Sequence, residues 1–151
     1  MFGRRESVVG LNKLMKDIEG LSRMPQSQIT KGARRGANVI LKEARAKAPK
    51  GATKQLSKGL RLKAEKSRKG KKVFQITFKA NPEFVKITKD GTRYFYPASQ
   101  EYGFRTRNGG KVDGKHFLLG AMASKKDAAA RVIVDEIGKE IEKSLREGSI
   151  R

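Results

Sequence analysis

Glu101 and His116 are the residues with which this chain could attempt acid–base chemistry, a carboxylate and the only imidazole in the sequence. Each stands in a short cassette: Tyr96-Pro97-Ala98-Ser99-Gln100-Glu101-Tyr102-Gly103, and His116-Phe117-Leu118-Leu119-Gly120-Ala121. A general acid and base need a nucleophile, a metal or a bound phosphate to act on. The chain has no cysteine and one histidine, which removes thiolate chemistry and any histidine-rich metal site. Gly109, Gly110 and Gly114 do not fall into the spacing of a phosphate-binding loop followed by Lys-Ser/Thr. The sequence is therefore read as non-enzymatic, with no cofactor and no metal. His116 is expected to pack where a loop enters a helix. Glu101, set among apolar and aromatic neighbours, is expected to find a specific donor, either a backbone amide or a basic residue across an interface; a solvated acid at a strand end is the alternative. Gly103 is expected to permit a turn that a side chain would obstruct.

Charge is the next feature. The formal net charge is +21 on 151 residues. Residues 1–72 hold 21 Lys/Arg against 5 Asp/Glu, or +16, and the remainder 15 against 10, or +5. Between Lys47 and Lys72 eleven cations face only Glu65. A tract of this density repels itself and favours a nearby polyanion, so it is read as lying close to nucleic acid; a solvated surface is the bland alternative. Tyr94, Phe95, Tyr96 and Tyr102 belong to a set of only ten aromatics. Core or subunit packing is expected to claim most of them, with base stacking as the other use.

The elements that position these residues follow from periodicity. The length suits one domain over 1–151, with 1–9 flexible. No apolar run approaches the roughly 20 residues that span a bilayer, so a soluble, unsecreted protein is expected. Leu11, Leu14, Met15, Ile18 and Leu21 recur at helical spacing. After Pro25 a second helix carries Ile29, Ala33, Ala37, Ile40, Leu41, Ala44 and Ala48 on one side and stops before Pro49. Leu60, Leu62 and Ala64, then Phe74, Ile76 and Phe78, alternate as strands of a hairpin with a basic tip at about 66–72. Asn81-Pro82 breaks the ladder, and Lys89-Asp90-Gly91 joins a second strand pair by a tight turn. Residues 104–115 are expected to form an exposed, mobile loop. Ser124, with Asp127 three residues on, is expected to cap a last helix. Its apolar stripe is Ala130, Ile133, Val134, Ile137, Ile141 and Leu145, with Asp135–Lys139 and Glu142–Arg146 as i,i+4 pairs. The fold class is α+β: N-terminal helices, an antiparallel sheet of about four strands, and a long C-terminal helix packed on the sheet.

In this order the junction residues resemble the tail-completion, or neck, proteins of long-tailed bacteriophages, which act as head-to-tail joining or minor tail components. Ala48-Pro49, then Thr53, Leu56 and Leu60, resemble that family's helix end and its entry to the first strand. Tyr96, Ala98, Glu101, Tyr102 and Gly103 match its middle signature, and Phe117, Leu118 and Ala121 its step into the last helix. The sequence departs from the family at Lys54 (usually glycine), Gly59 (commonly serine) and His116 (commonly proline), and in a longer loop between the last two signatures.

The resemblance implies a structural virion protein, assembled in the bacterial host cytoplasm and placed in the neck. It implies a self-assembled ring, hexameric in the family, between a head connector and tail-tube or tail-terminator proteins, with DNA passing through and no membrane. Tyr96, Glu101, Tyr102, Gly103, Phe104, His116 and Phe117 are then expected at the subunit or ring interface. Lys66, Arg68, Lys69, Lys71, Lys72, Arg105 and Arg107 are the candidate DNA-facing cations, in nonspecific contact with phosphates. The competing reading is an independent small basic nucleic-acid-binding protein. It rests on the basic tract alone, since no helix-turn-helix, zinc finger or RNA-recognition aromatic pair is present.

Overall fold

The computed structural model describes residues 26–51, 54–66 and 71–146, with only the backbone at 144 and 145. The expected first helix, the segment 1–9, Thr53 and the tip residues Arg68 and Lys69 lie outside the described residues.

Helix α1 spans Gln26–Lys47 and stops ahead of Pro49. Its buried line is Gly32, Gly36, Leu41, Ala44 and, just beyond it, Ala48. Ile29, Ala33, Ala37 and Ile40 are half-buried beside that line. A short helix α2 (Gln55–Gly59) feeds strand β1 (Leu60–Ala64), which pairs antiparallel with β2 (Phe74–Phe78) in the register Leu60↔Phe78 to Ala64↔Phe74. The even residues face α1 and the odd ones face away, as the alternation predicts.

At Asn81-Pro82 the chain makes a 3-10 turn over Pro82–Phe84, with the Asn81 side chain accepting from the Glu83 amide at 3.0 Å. Strands β3 (Val85–Ile87) and β4 (Arg93–Phe95) follow. They are joined through Gly91, whose φ of +79° is the left-handed value a tight turn demands. Then come helix α3 (Tyr96–Tyr102), strands β5 (Gly103–Arg105) and β6 (Lys111–Asp113), and the long helix α4 (Phe117–Arg146).

The α+β class holds. Among the described residues the strands do not join one sheet of about four, however; they form three separate two-stranded ribbons. The Asn81-Pro82 step and the α3 helix each break the backbone path between ribbons, so no ladder carries across them. The segment 104–115 is exposed as expected but is mostly ribbon, its turn closed by Thr106 N–H donating to the Gly110 carbonyl at 2.8 Å. The long C-terminal helix meets the β1–β2 ribbon at its start, through Phe117 and Ala121, and along the rest of its length packs on α1. It runs antiparallel to α1, as Lys31–Glu140 at one end and Lys47 Nζ donating to the Gly120 carbonyl at the other require.

That helix pairing rests on close backbone approach. Ile133 and Ile137 of α4 lie over Gly36 and Gly32, so the two helices interlock where α1 has no side chains. Within the expected α4 stripe, Ala130 and Val134 are exposed and Ala129 is buried instead. The Glu142–Arg146 pair closes at 3.9 Å, whereas Asp135 and Lys139 form no ion pair. The main core gathers Leu41, Ala44, Ala48, Leu56, Leu60, Phe84, Phe117 and Ala121 where α1, β1 and the start of α4 converge.

Candidate functional site: a clamped junction

The two cassettes meet. Helix α3 starts with Pro97 in its first turn, where the missing amide costs nothing. It ends at Gly103, whose φ is +79° and whose amide donates to the Ser99 carbonyl. This places Glu101 on the inner face of α3, only 3% exposed. Its Oε2 accepts the Leu118 amide at 2.9 Å and its Oε1 the Leu119 amide at 3.0 Å.

Those amides belong to the first turn of α4, where backbone donors lack intrahelical partners and the helix dipole is positive. A carboxylate brought from 17 residues upstream in sequence thus caps a 30-residue helix. Capping starts α4 at Phe117, seven residues before the expected start at Ser124. Ser124 lies inside the helix, its Oγ donating to the Ala121 carbonyl at 3.3 Å and accepting Lys47 Nζ at 3.0 Å. The local Ser-x-x-Asp pattern misleads because the true cap is remote.

Backbone bonds reinforce the clamp. The Lys115 amide donates to the Gln100 carbonyl at 2.8 Å and the His116 amide to the Glu101 carbonyl at 3.1 Å. Between them the chain segments touch: a Cβ on Gly103 would stand 2.6 Å from the Gly114 nitrogen, and one on Gly114 would stand 2.5 Å from the Tyr102 carbonyl carbon. Both glycines are required by that crossing. His116 takes a left-handed φ of +44°, which turns the chain into α4, and its carbonyl accepts the Gly120 amide at 2.7 Å. The imidazole itself is exposed, so His116 contributes a backbone turn and not the packing expected of it. Proline, locked near −65°, could not adopt this turn.

Behind the clamp, Phe117 is 2% exposed and joins an edge-to-face cluster with Phe78 (6.4 Å between centroids), Phe84 and Phe95. Gly59 is the floor of that cluster: a Cβ there would lie 2.6 Å from Phe84 Cζ, so the glycine leaves no room for serine. Lys54 adopts φ 51° and ψ 27°, a left-handed geometry that glycine reaches without strain.

Of the expected interface residues, the fold brings Glu101, Gly103, His116 and Phe117 together. Tyr96 is half-buried against the core, while Tyr102 is 74% exposed and Phe104 45% exposed. The aromatic run is divided in the same way: Phe95 touches the phenylalanine cluster, yet Phe95 and Tyr94 are both partly open to solvent. Lys66, Lys71 and Lys72 flank the tip of the β1–β2 ribbon, with Lys72 Nζ donating to the Glu65 carbonyl at 2.6 Å. Arg105 and Arg107 sit on the β5–β6 ribbon and its turn. Arg107 pairs with Asp90 at 2.9 Å, which ties the tips of two ribbons together and neutralises one of the expected DNA-facing charges.

No protein-family model matches the chain, and no curated protein or solved structure matches it significantly. With both oxygens of Glu101 engaged by amides, its carboxylate acts as a fastener. Among the described residues no cluster of three or more His, Cys, Asp or Glu is placed to hold a metal ion, and no helix is long and apolar enough to cross a membrane.

The residues that sequence reasoning missed are Gly32 and Gly36. Their signal was the small-x-x-x-small spacing on α1, facing a β-branched pair four apart on α4.

Proposed function

We propose that this chain is a structural subunit of a phage neck, one copy of an oligomeric ring that completes the tail and joins it to the DNA-filled head. The observation that carries the reading is the apolar surface of the two outer ribbons. Val85 and Ile87 on β3, Tyr94 and Phe95 on β4, Phe104 on β5 and Val112 on β6 are all exposed large hydrophobics, with Tyr102 between them.

Two-stranded ribbons are marginal alone, and their open edges and apolar faces invite a neighbouring chain. A ring subunit satisfies both needs at once, because each copy meets the next through the same pair of patches. The clamp at Glu101 supports this role by holding the ribbons at a fixed position on the helical pair. The resemblance of the cassettes supplies the neck; the exposed ribbons supply the reason for assembly.

Removing the gene from a phage that encodes it tests the reading. DNA-filled heads and separate, unjoined tails should accumulate, and purified protein added to that lysate should restore joined particles. A lysate that still yields infectious, joined particles would sink the proposal.

A further inference from the structure

The cations of this chain are not uniformly neutralised. Four glutamates of α1 and α4 are ion-paired, three of them across or beside the helical seam: Glu43 with Lys47 and Lys125, Glu136 with Arg35, Glu140 with Lys31, and Glu142 with Arg146 within α4. Asp90 and Asp113 are spent on Arg107 and Lys111. The β1–β2 ribbon receives none of this compensation. On the face turned away from α1, Arg61 stands opposite Thr77 and Lys63 opposite Gln75. Lys79, whose amide donates to the Gly59 carbonyl at 2.7 Å, continues the same alternation.

Arg61, Lys63 and Lys79 are exposed, and none is ion-paired with a described acid. Glu65, one residue past β1 on this same face, accepts from the Gln75 side chain and forms no ion pair with Arg61, Lys63 or Lys79. Residues two apart on a strand are separated by about 6.8 Å, and diagonal cross-strand neighbours by about 7–8 Å. Three unneutralised cations therefore occupy one small patch. Their neighbours on this face, Thr77, Gln75 and, at the Lys63 end, the Glu65 carboxylate, are polar or charged, so the patch offers no apolar anchor to a lipid surface.

We propose that this outward face of the β1–β2 ribbon binds the phosphate backbone of duplex DNA through Arg61, Lys63 and Lys79, without regard to base sequence. The contact rests on the neck reading for the presence of DNA, but it is a property of the single chain and is tested apart from assembly. Nonspecific binding of this kind is electrostatic, so its signature is a steep salt dependence shared by unrelated sequences.

The test uses the full chain and two unrelated duplexes, titrated by fluorescence anisotropy between about 50 and 200 mM salt. Arg61→Gln/Lys63→Gln/Lys79→Gln should weaken binding at least about tenfold on both duplexes and reduce the log–log salt slope by roughly 0.9 per cation lost. Lys111→Gln/Lys125→Gln/Arg146→Gln removes the same net charge from ion-paired sites and should change affinity far less. Arg61→Lys/Lys63→Arg/Lys79→Arg keeps the charges and should bind like the parent chain.

Equal weakening by the two glutamine triples would overturn the assignment, since net charge alone would then be acting. So would loss of binding in the charge-conserving triple, or a strong preference between the duplexes. Binding to phosphatidylserine-containing vesicles that the first triple abolishes, with no binding to duplex, would overturn it as well. The neck reading would survive each of these results, because it is judged on joined particles.

Discussion

Ile133 of α4 occupies the space that a side chain on Gly36 of α1 would need: a Cβ built on Gly36 lies 2.5 Å from Ile133 Cγ1 and 2.9 Å from the Ala129 carbonyl oxygen. Glycine within a helix ordinarily costs about 1 kcal/mol relative to alanine. Here that cost is outweighed by a helix crossing that any larger residue would push apart. Gly36→Ala should accordingly destabilise the fold, by about 1–3 kcal/mol as for other overpacked positions, despite its better helix propensity. A urea midpoint equal to or above that of the parent would show that the seam yields.

Glu101→Gln keeps the shape and loses the cap. A glutamine amide can accept from one of the Leu118 and Leu119 N–H groups, but its NH2 would face the other, donor against donor. A loss of about 2–3 kcal/mol is expected from one orphaned amide and the missing charge at the helix N-terminus. Chemical denaturation checks the loss, and exchange of the Leu118 and Leu119 amides checks its location. Unchanged protection at both would exclude the clamp.

Lys54→Gly should stabilise. The left-handed backbone at Lys54 costs a non-glycine residue roughly 1–2 kcal/mol, part of which glycine returns in the unfolded chain. A rise of about 0.5–1 kcal/mol, read as a higher thermal midpoint, is expected; a fall would mean that the lysine side chain earns its place by other contacts.

Gly59→Ser should be harmful, although serine is common at this position in the family that the sequence resembles. The added atoms meet the Phe84 ring, which is 1% exposed and has nowhere to move. Expected destabilisation is about 1–3 kcal/mol. Pairing Gly59→Ser with Phe84→Leu should recover part of it, which a double-mutant cycle would measure.

Replacing Ile87, Tyr102 and Phe104 with serine separates folding from assembly. All three are exposed in the single chain, so each change should move stability by no more than about 0.5 kcal/mol. The yield of joined particles should nevertheless collapse. Normal yield from a stable triple variant would mean that the apolar ribbons do not carry the contact between copies.

Much of this architecture was legible because its signals are local. The end of α1 follows from Pro49, the β1–β2 register from strict alternation, and the β3–β4 turn from Asp90-Gly91. The strands' failure to merge was less legible, since α3 hides inside what reads as the end of a strand. Pro97 near its start and Gly103 after its end were the available signs. The cap on α4 could not be read locally at all. Ser124 and Asp127 have the spacing of a cap, while the group that performs it lies on another element. The glycine seam was passed over for a related reason: propensity penalises Gly32 and Gly36, and only the partner helix shows what they gain.

The crossing of Gly103 and Gly114 has a consequence for how this protein can vary. Backbone bonds from Lys115 and His116 to Gln100 and Glu101 close the β5–β6 hairpin at its root, so the stem is complete before the first strand residue beyond it is reached. Apart from the exposed Arg107–Asp90 pair, everything distal to that stem is a branch whose length is uncoupled from the main trunk. Residues can be inserted or removed around Asn108-Gly109 without shifting the start of α4 or the helical seam. A lineage could thus refit this protrusion to a changed neighbour while inheriting the body unaltered.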